Sequence, residues 1–296
     1  MENSIKSVSD FWLRQPTKNG KAHKDARDIQ RVSVIVKYFG NKKEIDSISK
    51  IDILKFKDFL ELEKGYSAGT VQRFYSTFNA IMNFAFDNEF SEKKIHIKTR
   101  KVKGKEVYLT PDEVRKFIGQ LDPLRAAIVE FGVFTGQRKS NLINLRWDSL
   151  SDDLQEWTQE ASEMKNAEPN VLAIGSKARA VLRRMKVRCE KIEEQRPYLR
   201  GRVDHVFAQE KSGKPFNIYT LGNKTWKRAL KKSGIDKDVT PHTLRHTFAS
   251  LLVKNGVDLY QIKEAGGWSD LKSVIRYAHV GTETKRKTVN QLDKLF

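Results

Sequence analysis

The sequence predicts a mainly helical protein in two parts: an N-terminal helical bundle, then a helical domain of α+β type with a small antiparallel sheet. Three observations predict it. Apolar residues recur at helical spacing between Ile29 and Ala85. A stretch from Lys93 to Lys105 then carries seven basic side chains and no acidic one, which divides the chain. Beyond it, segments with helix caps and stops alternate with short apolar runs of strand character.

The first part, residues 1–92, begins its helical pattern near Val8. Ile29, Val32, Val36 and Phe39 follow at helical spacing before Gly40, which is placed to end a helix, although the β-branched run Val34-Ile35-Val36 also suits a strand. A second segment starts near Ser49 and puts Ile53, Phe56, Phe59 and Leu60 on one face. A third, from about Ser67, shows Val71, Phe74, Tyr75, Phe78, Ile81, Met82 and Ala85 as a wide stripe that reads as core. Residues 93–105 form the linker. Unopposed like charge resists compaction and keeps it extended. Beside a polyanion the same charges would release counterions, so a solvated linker and a strap are compatible readings.

The second part, residues 106–296, opens with a signalled helix: Thr110 caps, Pro111 takes the first helical position and Glu113 completes a capping box. Ala126 to Phe134 is an apolar helical run stopped at Gly136. Strands are expected around Leu154–Thr158, at Val171–Ile174 before Gly175, and at Val206–Ala208. Ser176 to Ile192 reads as a basic helix. Thr240-Pro241 caps the next helix, Gly256 ends it, and short helices follow. A tail from Thr282 to Phe296 gathers Val289, Leu292, Leu295 and Phe296 into a small apolar face.

Composition narrows the function. Of 296 residues, 56 are Lys or Arg and 37 are Asp or Glu, a net charge of +19. Residues 1–104 carry 21 basic and 13 acidic side chains; residues 105–296 carry 35 and 24. Two positive parts suit a clamp on a polyanion, nucleic acid before an anionic membrane surface. Within the linker, Lys98, Arg100, Lys101 and Lys103 are the candidate DNA contacts. A hydrophobic fraction of 39% argues against wholesale disorder. The single cysteine, Cys189, forms no intramolecular disulfide and anchors no zinc, which fits a reducing cytosol. No apolar run reaches the ~18 residues of a membrane helix, and Met1 to Lys6 lacks the apolar core of a secretory signal. The expectation is a soluble cytoplasmic protein.

The familiar phosphate-loop, zinc-protease and serine-elbow motifs are absent, and no compact carboxylate cluster is visible, so metal-driven chemistry is disfavoured. Cations and donors are present instead. Thr135-Gly136-Gln137-Arg138 puts an arginine just past a helix stop. His242 and Arg245, at i and i+3, share a face near a helix N-terminus, an end that favours anions. Trp268 follows Gly266-Gly267, and Tyr277 lies nine positions on. Guanidinium forks match phosphate oxygens. A tyrosine serves as a covalent nucleophile where nearby positive charge counters its pKa of about 10. One substrate type fits this set: a phosphodiester.

On T-G-Q-R-K-S-N-L at 135–142, H-T-L-R-H at 242–246 and G-G-W-S through Y-A-H at 266–279, the chain resembles the tyrosine recombinases of the phage-integrase kind, over nearly its whole length. The resemblance implies a core-type DNA-binding bundle, a basic linker and a catalytic domain. It implies that Tyr277 attacks the scissile phosphate to give a 3′-phosphotyrosyl link and a free 5′-hydroxyl. Arg138 and Arg245 would hold the non-bridging oxygens, and His242 would bond the phosphate and assist proton transfer. Trp268 stands where most members have histidine; as a donor only, it can orient phosphate but cannot exchange protons. The family's general acid is a lysine on a turn between two strands, for which Lys165 is the candidate. No cofactor, ATP or metal is implied.

The implied partners are duplex DNA with paired inverted core sites and further copies of the chain, two per site and four in the synapse, with an accessory DNA-bending or directionality factor. The tail would dock on a neighbouring copy or pack within its own. A separate arm-binding domain is not expected, since the helical pattern starts near Val8. The reading is a site-specific recombinase that integrates or excises a phage or mobile element. A Xer-like dimer resolvase, a silent DNA-binding relative and a type IB-like topoisomerase are its alternatives. His246 and His279 are read as supporting residues, and Tyr260 and Tyr219, rival nucleophiles, lack the Trp268 spacing. Departures from the family pattern are Asn141 for an acid, Val274 for a common threonine, and Gly266-Gly267-Trp268 for the usual Leu-Gly-His.

Overall fold

The computed structural model describes residues 3–16, 24–99, 107–160 and 170–278. The chain divides into two compact units, Met1–Gly104 and Lys105–Phe296.

In the first unit each helix starts where a short polar side chain accepts an otherwise orphaned N–H. Ser4 caps α1 (Ile5–Arg14) and Asp25 caps α2 (Ala26–Phe39). Ser49 and Asp52 form a reciprocal capping box on α3 (Lys50–Asp58), which runs on into a π-turn at Phe59–Glu63. Ser67 caps α4 (Ala68–Asp87). Helix wins over strand at Val34–Val36. There Val32 and Ile35, three apart, enter the core with Val8, Phe56 and Phe78, and Gly40 at φ +89° stops the turn. Ile29, part of the same pattern, is exposed.

The predicted linker is only partly free of this bundle. Asn79 Nδ2 donates to the Ile97 carbonyl and its Oδ1 accepts from the Ile97 N–H, both at 2.8 Å, while Ile95 and Ile97 pack against the core. Lys93 Nζ donates to the Asp46 carbonyl. The apolar residues interspersed among the lysines outweigh their repulsion as far as Ile97. Lys98 is exposed; Arg100, Lys101 and Lys103 lie outside the described residues.

The second unit opens on α5 (Pro111–Ile118), whose Thr110–Glu113 capping box forms as expected. There follow α6 (Pro123–Thr135), α7 (Lys139–Ile143), β1 (Glu156–Gln159), β2 (Asn170–Ala173) and α8 (Ser176–Gln195). Then come α9 (Lys224–Lys232), α10 (Thr243–Lys254), α11 (Leu259–Gly266) and α12 (Lys272–Ile275). Apolar on most sides, α6 is the central helix and packs against both α8 and α10. The strands pair antiparallel with Trp157 opposite Leu172, both buried, and Gln159 opposite Asn170.

Two expectations are corrected. Val206–Ala208 is no strand: His205 and Ala208 make only isolated bridges, to Arg146 and Pro215, so all three residues are buried as a loop threaded through the core. And α10 begins at Thr243, because the bond at its start is reversed: the Thr240 N–H donates to Thr243 Oγ1 at 3.0 Å, closing a turn that places His242 at the cap. The helix α9, capped by Asn223 and burying Trp226, Ala229 and Leu230, has a legible pattern that the sequence reading leaves unassigned. Among the described residues no helix is long and apolar enough to cross a membrane.

Candidate active site

Two chain reversals and the start of one helix bring the motif residues together. At the end of α6, Gly136 adopts φ +64°, and a Cβ there would lie 2.5 Å from the Phe248 ring, so only glycine turns the chain at this point. The turn sets Arg138 at the N-cap of α7, half-buried. Along α10, His242, Arg245 and His246 occupy the cap and first turn. At the end of α11, Gly267 takes φ +63° and the chain folds Trp268 back over Gly266, where any Cβ would collide with the indole.

Arg245 is the hub. It is 2% exposed, and its Nη1 donates to the carbonyls of Gly136 at 2.6 Å and Gly266 at 2.7 Å, tying the two reversals together. Its Cζ lies 3.5 Å from the Trp268 ring centroid, a guanidinium laid flat on an indole face. Its Nη2 is buried with no hydrogen-bond partner among the described residues. An unused donor in so dry a seat is a binding group awaiting an acceptor. Burial, then the charge of Arg138, push this guanidinium down to about 9, so it stays protonated at neutral pH.

Tyr277, also 2% exposed, packs with Ala249, Val253, Ile262, Trp268 and Val274. Its hydroxyl lies 2.6 Å from His246 Nδ1. His246 in turn meets His242 edge to face, with ring centroids 4.7 Å apart. Desolvation, followed by the charges of His242, Arg276 and Arg245, pushes His246 down to about 4, so the imidazole is neutral at physiological pH. His242 is exposed as a residue, yet partial desolvation of its ring, then Arg245, Arg276 and Arg138, hold it below the usual histidine value. The open side of the site is thus lined by His242 and Arg138, with Arg245 and Tyr277 beneath.

A buried amide relay supports this arrangement. Gln159 Nε2, at the end of β1, donates to Gln137 Oε1 at 3.1 Å, and Gln137 Nε2 donates to the Gly266 carbonyl that also receives Arg245. In the sequence Gln137 stands inside the T-G-Q-R motif with no role implied, and Gln159 is signalled only as a polar residue at a buried strand position.

Of the predicted set, the structure brings Arg138, His242, Arg245, Trp268 and Tyr277 into one site. Lys165, His279 and the 282–296 tail lie outside the described residues. Trp268, expected as a phosphate donor, presents its ring face to Arg245. Asn141 Oδ1 accepts from Ser140 Oγ, and its Nδ2 is buried without a partner among the described residues, so no hydrogen bond joins it to the arginines. Tyr219 and Tyr260 are both exposed. Among the described residues no cluster of three His, Cys, Asp or Glu could hold a metal ion.

Comparisons with known proteins converge. The phage integrase family model matches residues 107–284. The integrase of Salmonella phage P22 is 32% identical over 213 residues, which is 68% of this chain and 51% of that protein, so the chain spans about half of that relative's length. The tyrosine recombinase XerD of Listeria monocytogenes (serotype 4b, strain F2365) is 31% identical over 256 residues, 82% of each chain. Among solved structures, a lambda integrase (75–356) dimer bound to a COC' core site matches with a TM-score of 0.71 at 16% identity, over 93% of this chain and 95% of that one. The Tn1549 transposon integrase in complex with transposon right end DNA matches with a TM-score of 0.72 at 16% identity, over 98% and 99%. These two likenesses establish the fold.

Proposed function

The chain belongs to the phage integrase family and is a tyrosine recombinase, a site-specific enzyme of DNA strand cleavage and rejoining, and on that premise we propose that Tyr277 is its nucleophile and that it integrates or excises a phage or other mobile element. The observation that supports the residue assignment is the seat of Tyr277: it packs in one cluster with the Trp268 indole, which lies against a buried arginine whose Nη2 has no hydrogen-bond partner among the described residues.

The chemistry is carried over from the family, and the geometry of the described residues supports it. Arg138 and Arg245 hold the non-bridging oxygens of the scissile phosphate and stabilise the charge of the pentacoordinate transition state. His242, at the open side, bonds the same phosphate. Trp268 keeps the Arg245 guanidinium in its plane by stacking, and its indole N–H helps to orient phosphate. Lys165 protonates the leaving 5′-oxygen. The link formed on Tyr277 conserves the energy of the phosphodiester, so attack by a 5′-hydroxyl reverses it without ATP.

The helical unit, residues 1–92, grips the core site, and Lys98, Arg100, Lys101 and Lys103 strap the phosphate backbone between the two units. Two copies occupy a pair of inverted core sites, four form the synapse, the 282–296 tail joins neighbours, and an accessory bending or directionality factor assists. The protein works in the bacterial cytoplasm, at the nucleoid.

A covalent trap tests the assignment. In EDTA, on duplexes from the DNA bordering its coding sequence, the wild type is expected to become attached to a 3′ end on a denaturing gel, and Tyr277→Phe is not. An adduct that survives the loss of this one hydroxyl would remove Tyr277 from its role. Tight, salt-sensitive binding without any adduct would favour a silent DNA-binding protein.

A further inference from the structure

The family resemblance assigns His246 no chemistry, yet it is His246 whose ring nitrogen meets the Tyr277 hydroxyl. Resting on the recombinase reading, we propose that His246 is the base of the cleavage step, its Nδ1 taking the phenol proton as Tyr277 Oη attacks the scissile phosphorus.

Geometry comes first. A distance of 2.6 Å between Nδ1 and Oη is within the range for direct proton transfer. With the imidazole proton on Nε2, Nδ1 presents its lone pair to the phenol, the stronger donor of the two. His246 is fixed in that orientation by its place on α10, one residue past Arg245, and by its edge contact with His242. His242 stands one ring further out, on the side open to substrate, where it suits the phosphate better than the phenol.

The step balances. The phenol oxygen's electron pair forms the bond to phosphorus and its proton moves to Nδ1. The P–O5′ bond breaks, its pair leaves with the 5′-oxygen, and that oxygen takes a proton from the acid on the leaving side. In ligation the 5′-hydroxyl attacks, and the same proton returns from Nδ1 to the departing phenol oxygen. One residue thereby serves both directions.

Charge explains why the base is silent until DNA arrives. The groups facing His246 are His242 and Arg245 on its own helix and Arg276 and Tyr277 beyond α12, with Arg138 across the site. Desolvation, then His242, Arg276 and Arg245, hold the imidazole at about 4, which leaves it neutral but a weak base. A docked phosphodiester offsets the arginine charge, and the anionic transition state offsets it further, so basicity rises only when there is something to attack.

The test uses a duplex recovered by covalent capture with the wild-type full-length protein, nicked near the cleavage point so that each turnover is single. His246→Asn keeps an acceptor at the Nδ1 position but cannot take a proton; His246→Ala opens the site to added imidazole. Expected for His246→Asn are wild-type affinity in gel shift and cleavage slowed about 10²–10⁴-fold at neutral pH. The deficit should narrow as rising pH ionises the phenol, and a substrate with sulfur at the 5′-bridging position, which needs no acid, should not rescue it. For His246→Ala, imidazole should restore cleavage in proportion to its free base. Cleavage by His246→Asn within threefold of wild type would overturn the proposal, as would a pH-independent deficit or rescue by the 5′-sulfur substrate. Such results leave the recombinase reading standing provided that the wild type still forms an adduct dependent on Tyr277. Absence of that adduct defeats both.

Discussion

Gly266 carries no side chain because Trp268 occupies the space one would need. The indole then lies on Arg245, and the Gly266 carbonyl receives Arg245 Nη1, so a single glycine sets two of the hub's three contacts, the third being the Gly136 carbonyl. Gly266→Ala should therefore cost about 1–3 kcal/mol of stability through overpacking. It should also slow adduct formation more than it weakens DNA binding, as read by thermal unfolding, single-turnover cleavage and gel shift side by side. Unchanged cleavage would mean that the Trp268 plate is dispensable. At this scale the sequence was legible where a motif fixes a residue by spacing: Arg138, His242, Arg245, Trp268 and Tyr277 come together as expected. It was not legible where the role depends on which atom faces which. Nothing in the order of residues says that His246 rather than His242 meets the phenol, or that Trp268 offers Arg245 its face; both follow from the packing of α10 on α11 and of α11 on α12.

The helix α5 shows what local chemistry can specify alone. Thr110 Oγ1 accepts from the Glu113 N–H and Glu113 Oε2 accepts from the Thr110 N–H, while Lys237 Nζ reaches the same carboxylate at 2.7 Å from a distant loop. Thr110→Ala should cost about 1 kcal/mol in chemical denaturation. Partial burial raises the Glu113 carboxyl, but the Lys237 and Thr110 bonds outweigh it and leave the group below its ordinary value of 4.5. A depressed acid stabilises the fold fully above that ordinary value and loses its contribution as pH falls through the folded one. Glu113→Gln should accordingly flatten the acid limb of stability below about pH 4.5 and lower the plateau near neutrality; an unaltered acid limb would show that the bonds contribute nothing. The cap at Thr110 was readable because donor and acceptor lie three residues apart, and the segment starts expected near Ser49 and Ser67 fall on capping serines. The start of α10 misled because Thr240 and Thr243 can bond in either direction. Val206–Ala208 misled because burial, not pairing, selected its apolar residues.

Over the whole molecule the net charge of +19 is divided between two units that are each positive, so neither unit has to borrow attraction for a phosphate backbone from the other. The division between units was readable from composition. Where the linker's charge begins to act was not, because Asn79 and the apolar side chains of Ile95 and Ile97 hold its first residues on the bundle. The strap proposed for DNA therefore starts at Lys98, just past the last residue held on the bundle. If Lys98, Arg100, Lys101 and Lys103 each neutralise a phosphate, replacing all four by glutamine removes about four released counterions. The log–log slope of affinity against salt should then become shallower by about 3–4, at roughly 0.9 per contact. Affinity should fall alike on core-site and unrelated duplexes, since phosphate contacts carry no sequence information directly. The rate of adduct formation at saturating DNA should be preserved, because none of the four is assigned a part in the chemistry. Gel-shift titrations at four salt concentrations measure the slope. A slope equal to that of the wild type would place the phosphate contacts elsewhere, and a loss confined to the core site would make the segment a reader of base sequence instead of a strap.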